Sequence, residues 1–360
     1  MRILVACGSS GGHIFPALAL IDSLKPSVDQ ILLVLPQKSR ENKISITSLR
    51  IEYIHSANFT LRLSKENISG ACLFLLGFLE SLRIIIKFNP DVVVGFGSLN
   101  TIAVIFWAWL FRRNTIIHEQ NVIPGRANFL LAKLVDKTAV SFSQTAGYLS
   151  ISAKKIKLVG NPLRSELTRV KKEEALDFFG FKAEKFTLLI TGGSQGSHRL
   201  NTVCFESIAS LEKKDKLQII HISGIHDFVV LKDRYTCVGV AYKIFDFFPT
   251  MQYAYSIADL VISRAGATTI AELQRFGIPA ILVPYPYAYA HQLANARVLE
   301  SAKAALIIKD EELNVERLNG QLLQFMENPA KLDVMRRAYA EFKPLDAASL
   351  LAKEVFDFYR

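Results

Sequence analysis

Two glycine-rich turns, 185 residues apart, each follow an apolar run and lead into a helical pattern. Ile3-Leu4-Val5-Ala6-Cys7-Gly8-Ser9-Ser10-Gly11-Gly12-His13 aligns without a gap on Leu188-Leu189-Ile190-Thr191-Gly192-Gly193-Ser194-Gln195-Gly196-Ser197-His198. A strand that feeds a glycine turn and then a helix gathers backbone N–H groups and a helix N-terminus at one point, where an anion is stabilised. Two such units, heading halves of similar size, predict twin α/β domains that face each other across a cleft.

The rest of the chain alternates strand-like runs with helical patterns, which implies βαβ units and parallel sheets. A first set of strands is read at 2–7, 31–35, 51–55, 92–96, 115–118, 138–142 and 156–159. A second set is read at 186–191, 217–223, 235–240, 260–263, 280–283 and 305–308. Gly160-Asn161-Pro162 closes the first set and the charged segment 169–174 is the expected hinge. The boundaries drawn are 1–161 for a first domain and 162–343 for a second, with a C-terminal helix within 344–360 returning to the first. Half of the residues are hydrophobic and the mean hydropathy is +0.24, as expected where strands are buried on both faces.

The net charge of +10 suits an anionic partner: nucleic acid, anionic lipid or a phosphorylated substrate. Zinc-finger spacing and aromatic-studded basic strands are both missing, so no nucleic-acid partner is expected. Cys7, Cys72, Cys204 and Cys237 form no C-x-x-C pair and read as free thiols of a reducing compartment. The first strand starts at residue 2, so no signal peptide is expected, and apolar stretches such as 71–79 and 102–111 are about half of a membrane span.

The glycine loops exclude several ligands. The first lacks the G-x-G-x-x-G spacing and its second strand ends Leu35-Pro36-Gln37 without an acidic residue for a ribose, which argues against a dinucleotide. Neither loop is followed by G-K-[ST]. Aspartates never stand two apart, so the Asp-x-Asp metal clamp of many sugar-nucleotide enzymes is missing, and no metal site is expected. In the second half, Arg264-Ala265-Gly266-Ala267-Thr268-Thr269 is a turn between a strand and a helix, with Glu272 early in that helix. Glu272 reads either as a ligand for the two hydroxyls of a ribose or as an ordinary N-terminal helix glutamate. His291-Gln292 follows the next strand, at the edge where open α/β sheets bind ligands.

Taken together, these motifs resemble those of the MurG family, UDP-N-acetylglucosamine–lipid I transferases of peptidoglycan synthesis with the two-domain GT-B fold. The similar residues are Ser10-Gly11-Gly12-His13-Ile14-Phe15-Pro16-Ala17, His118-Glu119-Gln120-Asn121, Gly160-Asn161-Pro162-Leu163-Arg164, Gly192-Gly193-Ser194-Gln195-Gly196, Arg264 to Thr269 with Glu272, and His291-Gln292. The resemblance implies an inverting transfer of GlcNAc from UDP-GlcNAc to the C4 hydroxyl of lipid I, without a cofactor, at the cytoplasmic side of a membrane. It implies that the second domain holds the donor and the first the lipid-linked acceptor. Donor contacts are then expected from Ser10, Gly11, Gly12, Asn121, Arg164, Ser194, Gln195, Phe248, Ala267, Thr268, Thr269, Ile270, Ala271, Glu272 and Gln292. The chain departs from the family at Gly97-Ser98-Leu99, where Gly-Gly-Tyr is common, at Tyr289-Ala290, where aspartates are common, and at Ser10, where threonine is more frequent.

For the acceptor proton, His13 is the first candidate base, since an ordinary imidazole titrates near neutrality. Glu119 is its rival, and a plain hydrogen bond from His13 to phosphate or backbone is the alternative role. The segment 68–88 is apolar on most faces with Arg62, Lys65, Arg83 and Lys87 around it, and 101–111 carries Phe106, Trp107 and Trp109 before Arg112-Arg113. Aromatics beside cations suit a headgroup interface, so contact with an anionic membrane is expected, against the alternative of helices covering a sheet. Other enzymes of the same fold, a UDP-GlcNAc 2-epimerase or another glycolipid synthase, are the competing readings, with a sugar-nucleotide sensor as the non-enzymatic one.

Overall fold

The computed structural model describes residues 1–41, 49–56, 65–287, 291–342 and 345–359. The chain divides into two compact units, Met1–Arg164 with Leu345–Arg360, and Ser165–Pro344.

Among the described residues of unit 1 the strands are β1 (Arg2–Ala6), β2 (Gln30–Pro36), β3 (Arg50–Ile54), β4 (Val92–Gly95), β5 (Asn114–Glu119), β6 (Lys137–Val140) and β7 (Ile156–Leu158). Its helices are α1 (Gly11–Leu24), α2 (Lys65–Phe88), α3 (Leu99–Leu110) and α4 (Arg126–Leu131). Unit 2 holds β8 (Phe186–Thr191), β9 (Leu217–Ile222), β10 (Ala241–Phe245), β11 (Leu260–Ser263), β12 (Ala280–Leu282) and β13 (Ala305–Ile307). With them run α5 (Lys172–Phe179), α6 (His198–Ser210), α7 (Phe228–Tyr235), α8 (Met251–Ile257), α9 (Ala267–Phe276), α10 (His291–Ser301), α11 (Val315–Glu327) and α12 (Pro329–Ala338). The last helix, α13 (Ala347–Phe356), belongs to unit 1.

Both sheets are wholly parallel, in the orders β3-β2-β1-β4-β5-β6-β7 and β10-β9-β8-β11-β12-β13. The repeated strands β1 and β8 therefore hold the same place, where the order reverses direction. Ligands of open α/β sheets bind at that switch point. The solid apolar runs have a direct cause in unit 1. Ile3, Val5, Leu33 and Leu35 face a core completed by Ile14, Leu20 and Ile21 of α1 and Leu351 and Val355 of α13. Leu4, Ala6, Leu32 and Val34 face the opposite core, with Ile85 and Phe88 of α2 and Val104 and Ile105 of α3.

Two expectations need correction. The run 235–240 is not a strand: Tyr235 ends α7 with its ring buried and its hydroxyl 2.9 Å from His221 Nδ1, and Gly239 turns the chain at φ +73°. The strand lies further on, as β10, an edge strand with a half-exposed pattern and hence a weak apolar signal. The segment 169–174 is no hinge, since the units part at Arg164/Ser165 and Arg169 bonds the Phe276 carbonyl within unit 2. Arg62 and Tyr289-Ala290 lie outside the described residues. No helix among the described residues is long and apolar enough to cross a membrane.

Candidate active site

In unit 1 the β1–α1 loop and the β4–α3 turn meet around His13. A Cβ on Gly8 would stand 2.8 Å from Ser98 Cβ and 3.0 Å from His13 Nδ1, and one on Gly97 would stand 3.4 Å from His13 Nε2. Glycine at position 8 is what admits the imidazole, whereas at Gly97 the backbone conformation and not the space calls for glycine. Gly97 and Ser98 both have positive φ, +78° and +81°, so Ser98 holds a backbone conformation that normally requires glycine. Ser10 is the N-cap residue of α1, yet its hydroxyl makes no capping bond and lies 2.8 Å from His13 Nδ1. If Nδ1–H donates to Ser10 Oγ, the lone pair of Nε2 is turned toward Gly97, which is the tautomer a base needs. Burial pushes His13 down to about 4, so the ring is neutral at pH 7.

Glu119, at the end of β5, is 2% exposed and its carboxylate is fully engaged. Oε1 accepts from the Asn121 backbone N–H at 2.8 Å and from Asn121 Nδ2 at 3.1 Å. Oε2 accepts from the Gly125 N–H at 3.0 Å and from Asn128 Nδ2 at 2.8 Å. Glu119 thereby fixes the loop that carries Asn121, a job for a carboxylate that remains in place. The neighbouring His118 is fully buried, 2.9 Å from the Gly160 carbonyl oxygen through Nε2. Asn128, which the sequence reading passed over, stands between the two candidate bases: its Nδ2 is 3.4 Å from the point a Gly97 Cβ would occupy. The Arg164 guanidinium lies 4.7 Å above the Phe15 ring centroid.

In unit 2 the second glycine loop presents Ser194 and Gln195 at an exposed tip beyond β8. Its glycines permit close approach: a Cβ on Gly196, at φ +73°, would collide with the Ser223 carbonyl at 2.1 Å. Ala267, Thr268, Thr269, Ile270, Ala271 and Glu272 are the first six residues of α9, capped by Gly266 without a side-chain bond. Glu272 Oε2 accepts from the hydroxyl of buried Tyr255 at 2.8 Å, so its orientation is set from inside the unit. Gln292, second in α10, uses Oε1 to accept from the N–H groups of Ala265 at 3.1 Å and Tyr285 at 3.0 Å. Phe248 is buried among Phe178, Phe179 and Phe245, which fixes the backbone around it. Unit 2 thus gathers Ser194, Gln195, Ala267 to Glu272 and Gln292 at the C-terminal ends of β8, β11 and β12. Unit 1 gathers Ser10 to His13, Glu119 and Asn121 at the ends of β1 and β5.

Twin parallel sheets, each with a glycine loop and a helix N-terminus at its switch point, define the GT-B architecture. Residues 3–140 match the glycosyltransferase family 28 N-terminal domain and residues 187–351 the glycosyltransferase family 28 C-terminal domain. The chain is 37% identical over 351 residues to the UDP-N-acetylglucosamine–N-acetylmuramyl-(pentapeptide) pyrophosphoryl-undecaprenol N-acetylglucosamine transferase of Halothermothrix orenii, covering 94% of each chain. It belongs to that family of transferases. Among solved structures, MurG of Acinetobacter baumannii superposes with a TM-score of 0.74 at 24% identity, covering 99% of this chain and 100% of that one. A UDP-N-acetylglucosamine 2-epimerase described as putative, from Listeria monocytogenes, superposes with a TM-score of 0.75 at 12% identity, covering 100% of this chain and 96% of that one. Both likenesses establish the fold.

Proposed function

We infer that the chain transfers N-acetylglucosamine from UDP-GlcNAc to the C4 hydroxyl of lipid I with inversion, giving lipid II. The observation that carries this is the full-length relationship to the transferase of Halothermothrix orenii, with the family motifs seated at both switch points. The acceptor oxygen forms a bond to the anomeric carbon while the bond from that carbon to the UDP oxygen breaks. His13 Nε2 takes the acceptor proton. Negative charge that develops on the leaving diphosphate meets backbone N–H groups at helix N-termini.

Donor contacts in this reading come from Ser194, Gln195, Phe248, Ala267 to Glu272 and Gln292 of unit 2, with Ser10, Gly11, Gly12, Asn121 and Arg164 of unit 1. The acceptor falls to unit 1. Incubation of the purified protein with UDP-GlcNAc and a short-chain lipid I analogue tests the reading: a disaccharide product and one equivalent of UDP are expected. Conversion of UDP-GlcNAc to its C2 epimer without an acceptor would replace it with the epimerase reading.

Peripheral attachment to an anionic membrane is the second part of the proposal. Leu75, Leu76, Leu79 and Ile86 of α2 and Trp109 and Leu110 of α3 are 41–61% exposed, a larger apolar face than solubility favours. Phe106 and Trp107 instead pack against Phe78 of α2, so only part of the aromatic run reaches the surface. Unit 1 also holds 21 Lys+Arg against 12 Asp+Glu, and unit 2 holds 22 against 21. The net charge therefore resides almost wholly in the unit with the apolar face. Sedimentation with phosphatidylglycerol vesicles is expected to decline as salt rises. Equal binding to phosphatidylcholine vesicles would overturn an electrostatic contribution.

A further inference from the structure

Arg264 opens a turn that the donor reading places at the diphosphate, but its charge points elsewhere. The side chain is 8% exposed and its Nη1 lies 2.6 Å from Asp310 Oδ1. Nη1 also donates to the Val283 carbonyl at 3.1 Å, while Nε and Nη2 donate to the Ser197 hydroxyl at 3.0 and 2.7 Å. Asp310 is steadied in turn by Arg199, whose Nε donates to the Asp310 carbonyl at 3.0 Å. Ser197, Arg264, Val283 and Asp310 follow β8, β11, β12 and β13, four neighbouring strands of the sheet, and Arg199 lies in the first turn of α6.

Ser197 is the N-cap residue of α6, and its hydroxyl makes no capping bond to that helix. A serine at this position ordinarily accepts from the helix's own first N–H groups. Here its oxygen faces the guanidinium, and those N–H groups stay without a side-chain cap at the mouth of the glycine loop.

We propose that Asp310 and Ser197 are positioning residues for a nucleoside diphosphate: the Asp310–Arg264–Ser197 bridge locks the second glycine loop and the start of α9 into one preformed cradle. The proposal rests on unit 2 being the donor unit. The bridge neutralises Arg264 with Asp310, so the diphosphate is met by backbone N–H groups and not by this guanidinium. Preformed geometry strengthens binding because the ordering cost is met in folding. Gln292, which ties Ala265 to Tyr285, braces the same turn from the other side.

Three variants test this: Asp310→Asn, Ser197→Ala and Ser197→Thr. UDP affinity is measured by calorimetry, KM is measured separately for UDP-GlcNAc and for a lipid I analogue, and folding is followed by circular dichroism. Asp310→Asn is expected to weaken UDP binding and raise the donor KM by about tenfold, the size of one charged hydrogen bond, with the acceptor KM within about twofold. Ser197→Ala is expected to do the same to a smaller degree, and Ser197→Thr, which restores the hydroxyl, to recover wild-type binding. If Asp310→Asn does not fold, the Ser197 pair decides. Unaltered UDP affinity in folded variants, or equal changes in both KM values, overturns the bridge while leaving the donor reading standing. Failure of the wild-type protein to bind UDP overturns the donor reading, and the bridge with it.

Discussion

His13 meets its partners beside two glycines, the bare Gly8 and the positive-φ Gly97, and both were visible in the sequence only as glycines. Its depressed pKa changes what a general base there would look like. The acid limb of kcat/KM, which reports the free enzyme, should fall through pH of about 4, the value burial sets, and not through 6.5. Initial rates between pH 4 and 8, measured before acid unfolding, decide this: a limb centred near 6.5 would remove His13 from the role. His13→Ala should lower kcat by about 10²–10⁴-fold, and a loss under about fivefold with donor affinity unchanged would do the same. Glu119 is a different case. Its carboxylate accepts from four donors that fix the loop of Asn121, and Glu119→Gln turns an amide N–H₂ against N–H groups. We expect a stability loss of about 1–3 kcal/mol by chemical denaturation, from buried polar groups left unpaired. The sequence named both residues as candidates because each stood in a recognisable motif. It put His13 first on the ordinary titration range of an imidazole, and it did not show the partners of Glu119, which include Asn128, a residue that no motif marked.

The docking of α2 on the end of β3 turns on Gly77. A Cβ there would stand 2.0 Å from the His55 carbonyl oxygen. One turn on, Glu80 accepts from the His55 N–H and lies beside its ring, both at 2.7 Å. Gly77→Ala ought to favour the helix by about 1 kcal/mol on propensity alone. The clash should reverse the sign and give a net destabilisation of about 1–3 kcal/mol, which urea unfolding would register. An unchanged or raised midpoint would mean that α2 shifts without cost. Helices and central strands were legible because burial on both faces writes an unbroken apolar run. The edge strand β10 was not, because none of its side chains is fully buried and Lys243 breaks its apolar run.

That the chain holds two like sheets was legible from the offset repeat, since β1 and β8 each run into a glycine turn and a helix. Each unit also encloses one fully buried histidine, His118 in unit 1 and His221 in unit 2. Burial lowers His118 to about 4 and His221 to about 3, below the 6.5 of an unfolded chain. The unfolded state then binds more protons below pH 6.5, so stability is complete above that value and is lost as the pH falls toward 4. Each histidine should contribute a slope of about 1.4 kcal/mol per pH unit, measurable by denaturant titration at pH 7 and pH 5. A pH-independent midpoint over that interval would contradict it. One feature of the molecule also bears on how it is made. Helix α13 completes the core of unit 1 with Leu351 and Val355, and its Glu354 pairs with Lys137 at 2.9 Å. A domain whose first strand begins at residue 2 thus waits for its last layer until residues past 344 have left the ribosome. Unit 2 emerges whole before then, so its core can close before that of unit 1 is complete.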